Sequence, residues 1–167
     1  MCKLVAFPSG FSREAAIKAA KQAYSGDSDG FGWAYIKPNG KFHLHRDVSD
    51  IGLHWDDKDL LKHMPCDGWT ILHMRKKTHG DNTLNNTHPF VVGDYCVAHN
   101  GIWSNCYLAQ ALLSKLGHKF IGETDSEIAA HCIEILGPDY FPAVASGAGV
   151  YLSLNRDGSL WISKSSG

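Results

Sequence analysis

With 167 residues, 44% of them apolar and 20% charged, the chain has the length and make-up of one globular domain able to bury a core. A formal net charge of -1 gives no electrostatic case for binding nucleic acid or an anionic membrane, and no apolar run approaches the roughly 20 residues of a membrane helix. Five cysteines without paired or C-x-x-C spacing argue against a disulfide framework or a zinc knuckle; with no signal-like N-terminus, a reducing, cytoplasmic compartment is expected.

Directly after Cys2, Lys3 to Phe7 reads as a short strand stopped by Pro8-Ser9-Gly10. Ser12 then caps a helix to about Tyr24, with Ala16, Ala19, Ala20 and Ala23 at helical spacing. Beyond the loop Ser25 to Gly30, the runs Gly32 to Ile36 and Lys41 to His45 flank Pro38-Asn39-Gly40, a hairpin signal. Asp47 to Gly68 carries little beyond a short helix over Asp57 to His63, ended by Pro65. Trp69 to Met74 reads as a buried strand that delivers Arg75 to its end. The polar loop Lys76 to Thr87 that follows is long enough to suggest function.

Val91-Val92 and Tyr95 to His99, around Gly93-Asp94, form a second hairpin leading into Asn100-Gly101. Ser104 opens a helix with Leu108, Ala111, Leu112 and Leu116 on one face and Gly117 as its stop. Thr124-Asp125-Ser126-Glu127 is a capping-box pattern opening another helix, which ends at Gly137-Pro138. Gly149 to Leu154 and Leu160 to Lys164 make a third hairpin around Asn155 to Gly158. Trp33, Trp69 and Trp161 fall in these strands and are expected in the core. Hairpins mixed with helices, without repeat or linker, indicate a single α+β domain over residues 2–167.

Several residues carry possible chemistry. A small residue at position two allows removal of Met1, which leaves Cys2 with a free α-amine of pKa about 7.7–8.0 beside its thiol. A thiol and a nearby base are the minimum for nucleophilic acyl transfer, although a small residue also simply starts a strand. Arg75 offers a planar fork for a carboxylate, or is a solvated charge beside Lys76 and Lys77. Asn100-Gly101 reads as a turn, or as an amide and an N–H turned toward one oxyanion. Asp125 in a first helical turn is already accounted for by the helix dipole. His73, His79, His88 and His99 lack the helical i, i+4 pairing of a metal site, so no metal is expected.

The order of these pieces is more specific than any one of them. Cys2, His73 to Gly80, His88-Pro89, His99-Asn100-Gly101 and Thr124 to Glu127 stand in the sequence of motifs of a known family, and Asp29-Gly30-Phe31-Gly32-Trp33-Ala34 matches its early strand entry. The chain resembles the glutaminase domain of class II glutamine amidotransferases, which are N-terminal nucleophile hydrolases. That resemblance implies a four-layer αββα sandwich, two antiparallel sheets between helices. It implies that Cys2 attacks the side-chain amide of L-glutamine through a γ-glutamyl thioester and releases ammonia to a synthetase or transferase partner, without cofactor or metal. Asn100 and Gly101 would receive the oxyanion, Arg75 the α-carboxylate and Asp125 the α-ammonium, with Thr78, His79, Gly80 and His88 lining the substrate pocket.

Three departures accompany the likeness. Tyr24-Ser25-Gly26 stands where the family often has Tyr-Arg-Gly, Lys76 and Lys77 replace aromatic or small residues, and the chain stops at Gly167 with no synthetase domain. A stand-alone glutaminase feeding a docked partner is therefore expected, and a homo-oligomer is compatible with the pattern. The alternatives are a γ-glutamyl amide hydrolase of a small modified substrate and a non-catalytic glutamine-binding subunit.

Overall fold

Strand pleating sorts the side chains into the layers of the molecule. In the computed structural model, which describes residues 1–58, 67–78 and 80–165, two four-stranded sheets are stacked face to face. The first has the order β1-β4-β2-β3, built from β1 (Lys3–Phe7), β2 (Gly30–Ile36), β3 (Phe42–Asp47) and β4 (Thr70–Arg75), all pairs antiparallel. The second has the order β5-β6-β7-β8, from β5 (Phe90–Val92), β6 (Tyr95–Gly101), β7 (Gly149–Asn155) and β8 (Leu160–Ser165), also antiparallel.

Alternate residues of β4 serve two cores. Leu72 and Met74 face outward and pack with Phe7, Phe31 and Trp33 under Ala16 and Ala20 of α1 (Arg13–Ala23). Ile71 faces inward and meets Ala34, Cys96, Ala98, Leu152 and Leu154 between the sheets. On the far side, α2 (Cys106–Lys115), α3 (Asp125–Leu136) and α4 (Phe141–Val144) cover the second sheet through Leu113, Ile128, Ile133 and Phe141, packed on Val97 and Tyr151. The layers are therefore αββα, as the resemblance implies. Each fully buried aliphatic side chain of these cores contributes about 1.5–3 kcal/mol.

Local signals place most boundaries. Ser12 accepts from the Ala15 N–H and Thr124 from the Glu127 N–H, so both caps work as the sequence suggests. Gly117 and Gly137, at φ +92° and +82°, follow the ends of α2 and α3. Three expectations need correction or fall away. The second long helix starts at Cys106 with Asn105 as its cap residue, two residues later than Ser104, because residues 102–105 continue across to the 146–148 loop through the bonds Ile102 N to Ala148 O and Ser104 N to Ser146 O. Trp161 is 42% exposed, since it sits on edge strand β8, whereas Trp33 is buried. The helix expected over 57–63, with Pro65 behind it, lies largely outside the described residues. Among the described residues no helix is long and apolar enough to cross a membrane.

The inter-sheet space is polar at one end. His73, next inward after Ile71 on β4, is fully buried and its ring lies 3.9 Å from that of His88. His99, on the helix-facing side of β6 with Val97, is also buried, stacked flat on Tyr151 at 4.2 Å and 3°. Burial drives His73 to a pKa of about 3 and His99 to about 4, and pushes His88 well below its usual value, so all three imidazoles are neutral at pH 7.

Two outcomes follow from this packing. Gly32 lies where a Cβ would come within 2.2 Å of the His88 carbonyl oxygen and 2.6 Å of that of His45, both backbone. Gly32→Ala is therefore expected to cost about 2 kcal/mol or more and to lower Tm by roughly 5 °C, read by thermal denaturation. The second concerns pH. Below about 6.5 the unfolded chain takes up protons that the buried imidazoles refuse, so stability present above that pH drains as pH falls, by about 1.4 kcal/mol per unit for each imidazole. Urea midpoints should drop clearly between about pH 7 and pH 5.5; a flat profile would contradict the neutral stack.

Candidate active site

The register of β1 on β4 runs from Phe7 opposite Thr70 to Lys3 opposite Met74, and one further step brings Cys2 opposite Arg75. Both residues sit on the inter-sheet face with Leu4, Ala6, Ile71 and His73 by strand alternation. The thiol is held there by backbone: the Lys76 N–H donates to Cys2 Sγ at 3.2 Å, and the thiol donates back to the Lys76 carbonyl at 3.3 Å. Asn100 follows Cys96 and Ala98 on the face of β6 that looks toward this strand pair, and contacts link β6 to both β1 and β4.

Here the layers open into a narrow cleft of about 30 Å3. Its walls include Cys2, Arg75, Thr78, His88, Gly101 and Asp125, six of the nine residues expected at the site, together with Lys76, His99, Thr124 and Ser126. Asn100 is half-buried at its edge rather than in the wall, and Gly80 faces Arg75 through its carbonyl, which accepts from Nη2 at 3.4 Å. His79 lies outside the described residues. A wider hollow beside the β2–β3 turn, lined by Tyr35, Lys37, Asn39 and Asp67, brings no nucleophile to a base among the described residues.

Each wall residue has a local reason for its place. Arg75 is 3% exposed; its Nη1 donates to Asn82 Oδ1 at 3.1 Å, and burial lowers its pKa without discharging it at neutral pH. Gly101 ends β6 at φ +152°, and a Cβ there would strike the Ala148 carbonyl and Gly149 Cα at 2.3 and 2.4 Å, so only glycine fits. Asp125, in the first turn of α3, accepts the Trp103 N–H at 2.8 Å and a bond from Ser126 at 3.2 Å. Its carboxylate is 20% exposed, toward the cleft it lines.

The residues that hold the loops were not assigned that role from sequence. Asp29 accepts the Lys77 N–H at 2.7 Å, and its own N–H donates to the Arg75 carbonyl at 2.8 Å. That backbone bond, with Lys76 and Arg75 nearby, holds its pKa below the usual carboxylate value. Lys76 Nζ pairs with both Asp27 and Asp29, and Lys77 with Asp81, so the two lysines that depart from the family pattern have acidic partners. Buried Asn86 takes the Glu123 N–H at 2.7 Å and donates to the Asp81 carbonyl at 3.0 Å, joining the 80–83 turn to the residues before α3. Glu127, instead of reaching back to its own cap, accepts from Ile121 and Gly122 at 2.9 and 2.7 Å. The capping box was the one visible signal of that tie.

Comparison with known proteins agrees with this geometry. The family of glutamine amidotransferases class-II matches residues 1–138. A glutamine–fructose-6-phosphate aminotransferase (isomerizing) of Zymomonas mobilis is 44% identical over 64 residues, 38% of this chain and 10% of the relative. That of Wigglesworthia glossinidia brevipalpis is 36% identical over 106 residues, 63% of this chain and 17% of the relative. The chain thus spans less than a fifth of these relatives. Among solved structures, an allosteric regulatory enzyme of purine biosynthesis overlays with a TM-score of 0.75 over 93% of this chain and 36% of its own, at 20% identity. The phosphoribosylpyrophosphate amidotransferase of B. subtilis overlays at 0.71 over 93% and 35%, at 17% identity, and both show the same fold. By its sequence match and its αββα architecture, the chain belongs to the class II glutamine amidotransferases.

Proposed function

We propose that the chain hydrolyses the side-chain amide of L-glutamine with Cys2 as nucleophile and hands the ammonia to an acceptor enzyme. The observation that carries this reading is the seating of the Cys2 thiol on the Lys76 backbone, opposite buried Arg75, in a cleft that also holds Gly101 and Asp125. Met1 is 85% exposed ahead of β1, so its removal takes nothing from the core and frees the α-amine of Cys2.

In this reading the amine takes the thiol proton as Sγ forms its bond to the amide carbon. The oxyanion is received by the Asn100 side chain and the Gly101 N–H. Collapse breaks the C–N bond, ammonia leaves with the proton from the amine, and a γ-glutamyl thioester remains. Water, deprotonated by the same amine, then releases glutamate and restores the thiol. Arg75 grips the α-carboxylate through two parallel hydrogen bonds, Asp125 takes the α-ammonium, and Thr78, His79, Gly80 and His88 shape the pocket. A thiol positioned in this way favours turnover over mere binding. Ammonia escapes readily to water, which calls for a partner over the cleft mouth. The large unmatched share of the relatives is where such an acceptor activity would reside in them.

Intact-mass analysis should find the mature protein without Met1 and with a single adduct after treatment with a glutamine-like electrophile. Cys2→Ala should lose both adduct and ammonia release; an adduct on another cysteine, or a working enzyme that keeps Met1, would refute the assignment. Arg75→Lys is expected to raise KM for glutamine at least about tenfold, because a lysine keeps the charge but not the fork.

A further inference from the structure

Asp125 is held by a chain of hydrogen bonds that begins on β6, in the sheet against which its helix packs. An ionised carboxylate only accepts, so the Ser126 hydroxyl at 3.2 Å donates to Asp125 Oδ1. Having spent its proton, Ser126 Oγ must accept from its other partner, His99 Nδ1, at 3.1 Å. His99 is thereby fixed as the Nδ1–H tautomer. Its ring is pinned flat on Tyr151, and its Nε2 lies where a Cβ on Gly101 or Gly149 would approach to 3.0 or 2.6 Å. Burial keeps the ring neutral, so the tautomer does not change near pH 7.

The direct distance from His99 Nδ1 to Asp125 Oδ1 is 3.9 Å, too long for a hydrogen bond, so the ring acts through Ser126. The other oxygen, Oδ2, is fixed by the Trp103 N–H at 2.8 Å. Both oxygens are thus held by groups outside the Asp125 side chain itself. We propose that Ser126 and His99 are positioning residues that aim the Asp125 carboxylate at the α-ammonium group of the bound amino acid, so that they set selectivity for an α-amino substrate. This rests on the glutamine reading above. A carboxylate fixed before binding loses no rotamer freedom when the ammonium arrives, whereas a free one pays that ordering cost.

The test uses binding rather than turnover. Calorimetry on the Cys2→Ala protein measures Kd for glutamine and for glutaramate, which lacks only the α-amine. Ser126→Ala in that background should weaken glutamine about tenfold, as for a misplaced charge-assisted hydrogen bond. Glutaramate should stay within about twofold, and Ser126→Thr, which restores the hydroxyl, should restore glutamine. His99→Asn, which puts an amide N–H near the Nδ1 position, should keep the preference, and His99→Leu should lose it. Equal weakening of both ligands marks a general structural loss and overturns the inference, as does unchanged glutamine affinity. Glutamine turnover by the Cys2 protein is read separately: its absence with the binding preference intact sinks the catalytic reading and leaves this one standing. A Cys2→Ala protein that binds neither ligand overturns both.

Discussion

The antiparallel pairing of β1 with β4 is the constraint on which the site depends. A strand has a side-chain period of two, so a slip of β1 by one residue would turn Cys2 to the α1 side, away from Arg75 and the cleft. The register is secured from both faces. Leu4 and Ala6 are packed in the inter-sheet core, while Phe7 is locked under α1. Cys2 therefore needs no loop to carry it: it is the next residue of a strand whose position is already set by burial. The two hydrogen bonds to Lys76 complete a ladder end that would otherwise fray.

A cluster of buried imidazoles at the cleft end of the two sheets is the cost of this arrangement. Three neutral imidazoles occupy positions that an apolar core would give to leucine or valine, and each is dragged below its solution pKa by burial. Flat aromatic rings stack here in pairs: His73 lies against His88, and His99 against Tyr151 under the helices. Gly32, Gly101 and Gly149 leave the room that these rings and their backbones occupy. The glycines and histidines form one packing unit, which is why both types recur around the site motifs.

Much of this was legible in the sequence because the signals were local. Three hairpins, two side-chain caps and the glycine stops depend on residues within a few positions of one another, and the structure has them within two residues. Cys2, Arg75, Thr78, His88, Gly101 and Asp125 were legible as a group through the order of their motifs. What escaped was non-local. Asn86 looks like any loop asparagine until the turn at 80–83 and the residues before α3 are both placed against it. Asp29 serves by touching Arg75 and Lys77, almost fifty residues on. Trp161 failed for a related reason: strand propensity says which residues lie in a sheet, not which strand lies at its edge.

The departures from the family pattern make physical sense only together. Ser25 removes a cation from the loop after α1, yet the same loop carries Asp27 and Asp29, which would be left without counter-charges in a site that must keep its shape. Lys76 supplies the counter-charge from the opposite side, at the root of the 76–83 segment, and the Lys77 N–H adds a hydrogen bond to Asp29. Exposed pairs of this kind contribute little stability each, commonly under about 1 kcal/mol, and are weakened by salt. Their consequence is geometric: Lys76 is also the residue whose backbone holds the thiol, so a tether on its side chain limits the movement of the N–H and carbonyl that meet Sγ. The tie between the loop after α1 and the 76–83 segment therefore runs through Lys76, whose side chain meets Asp27 and Asp29 while its backbone meets the thiol.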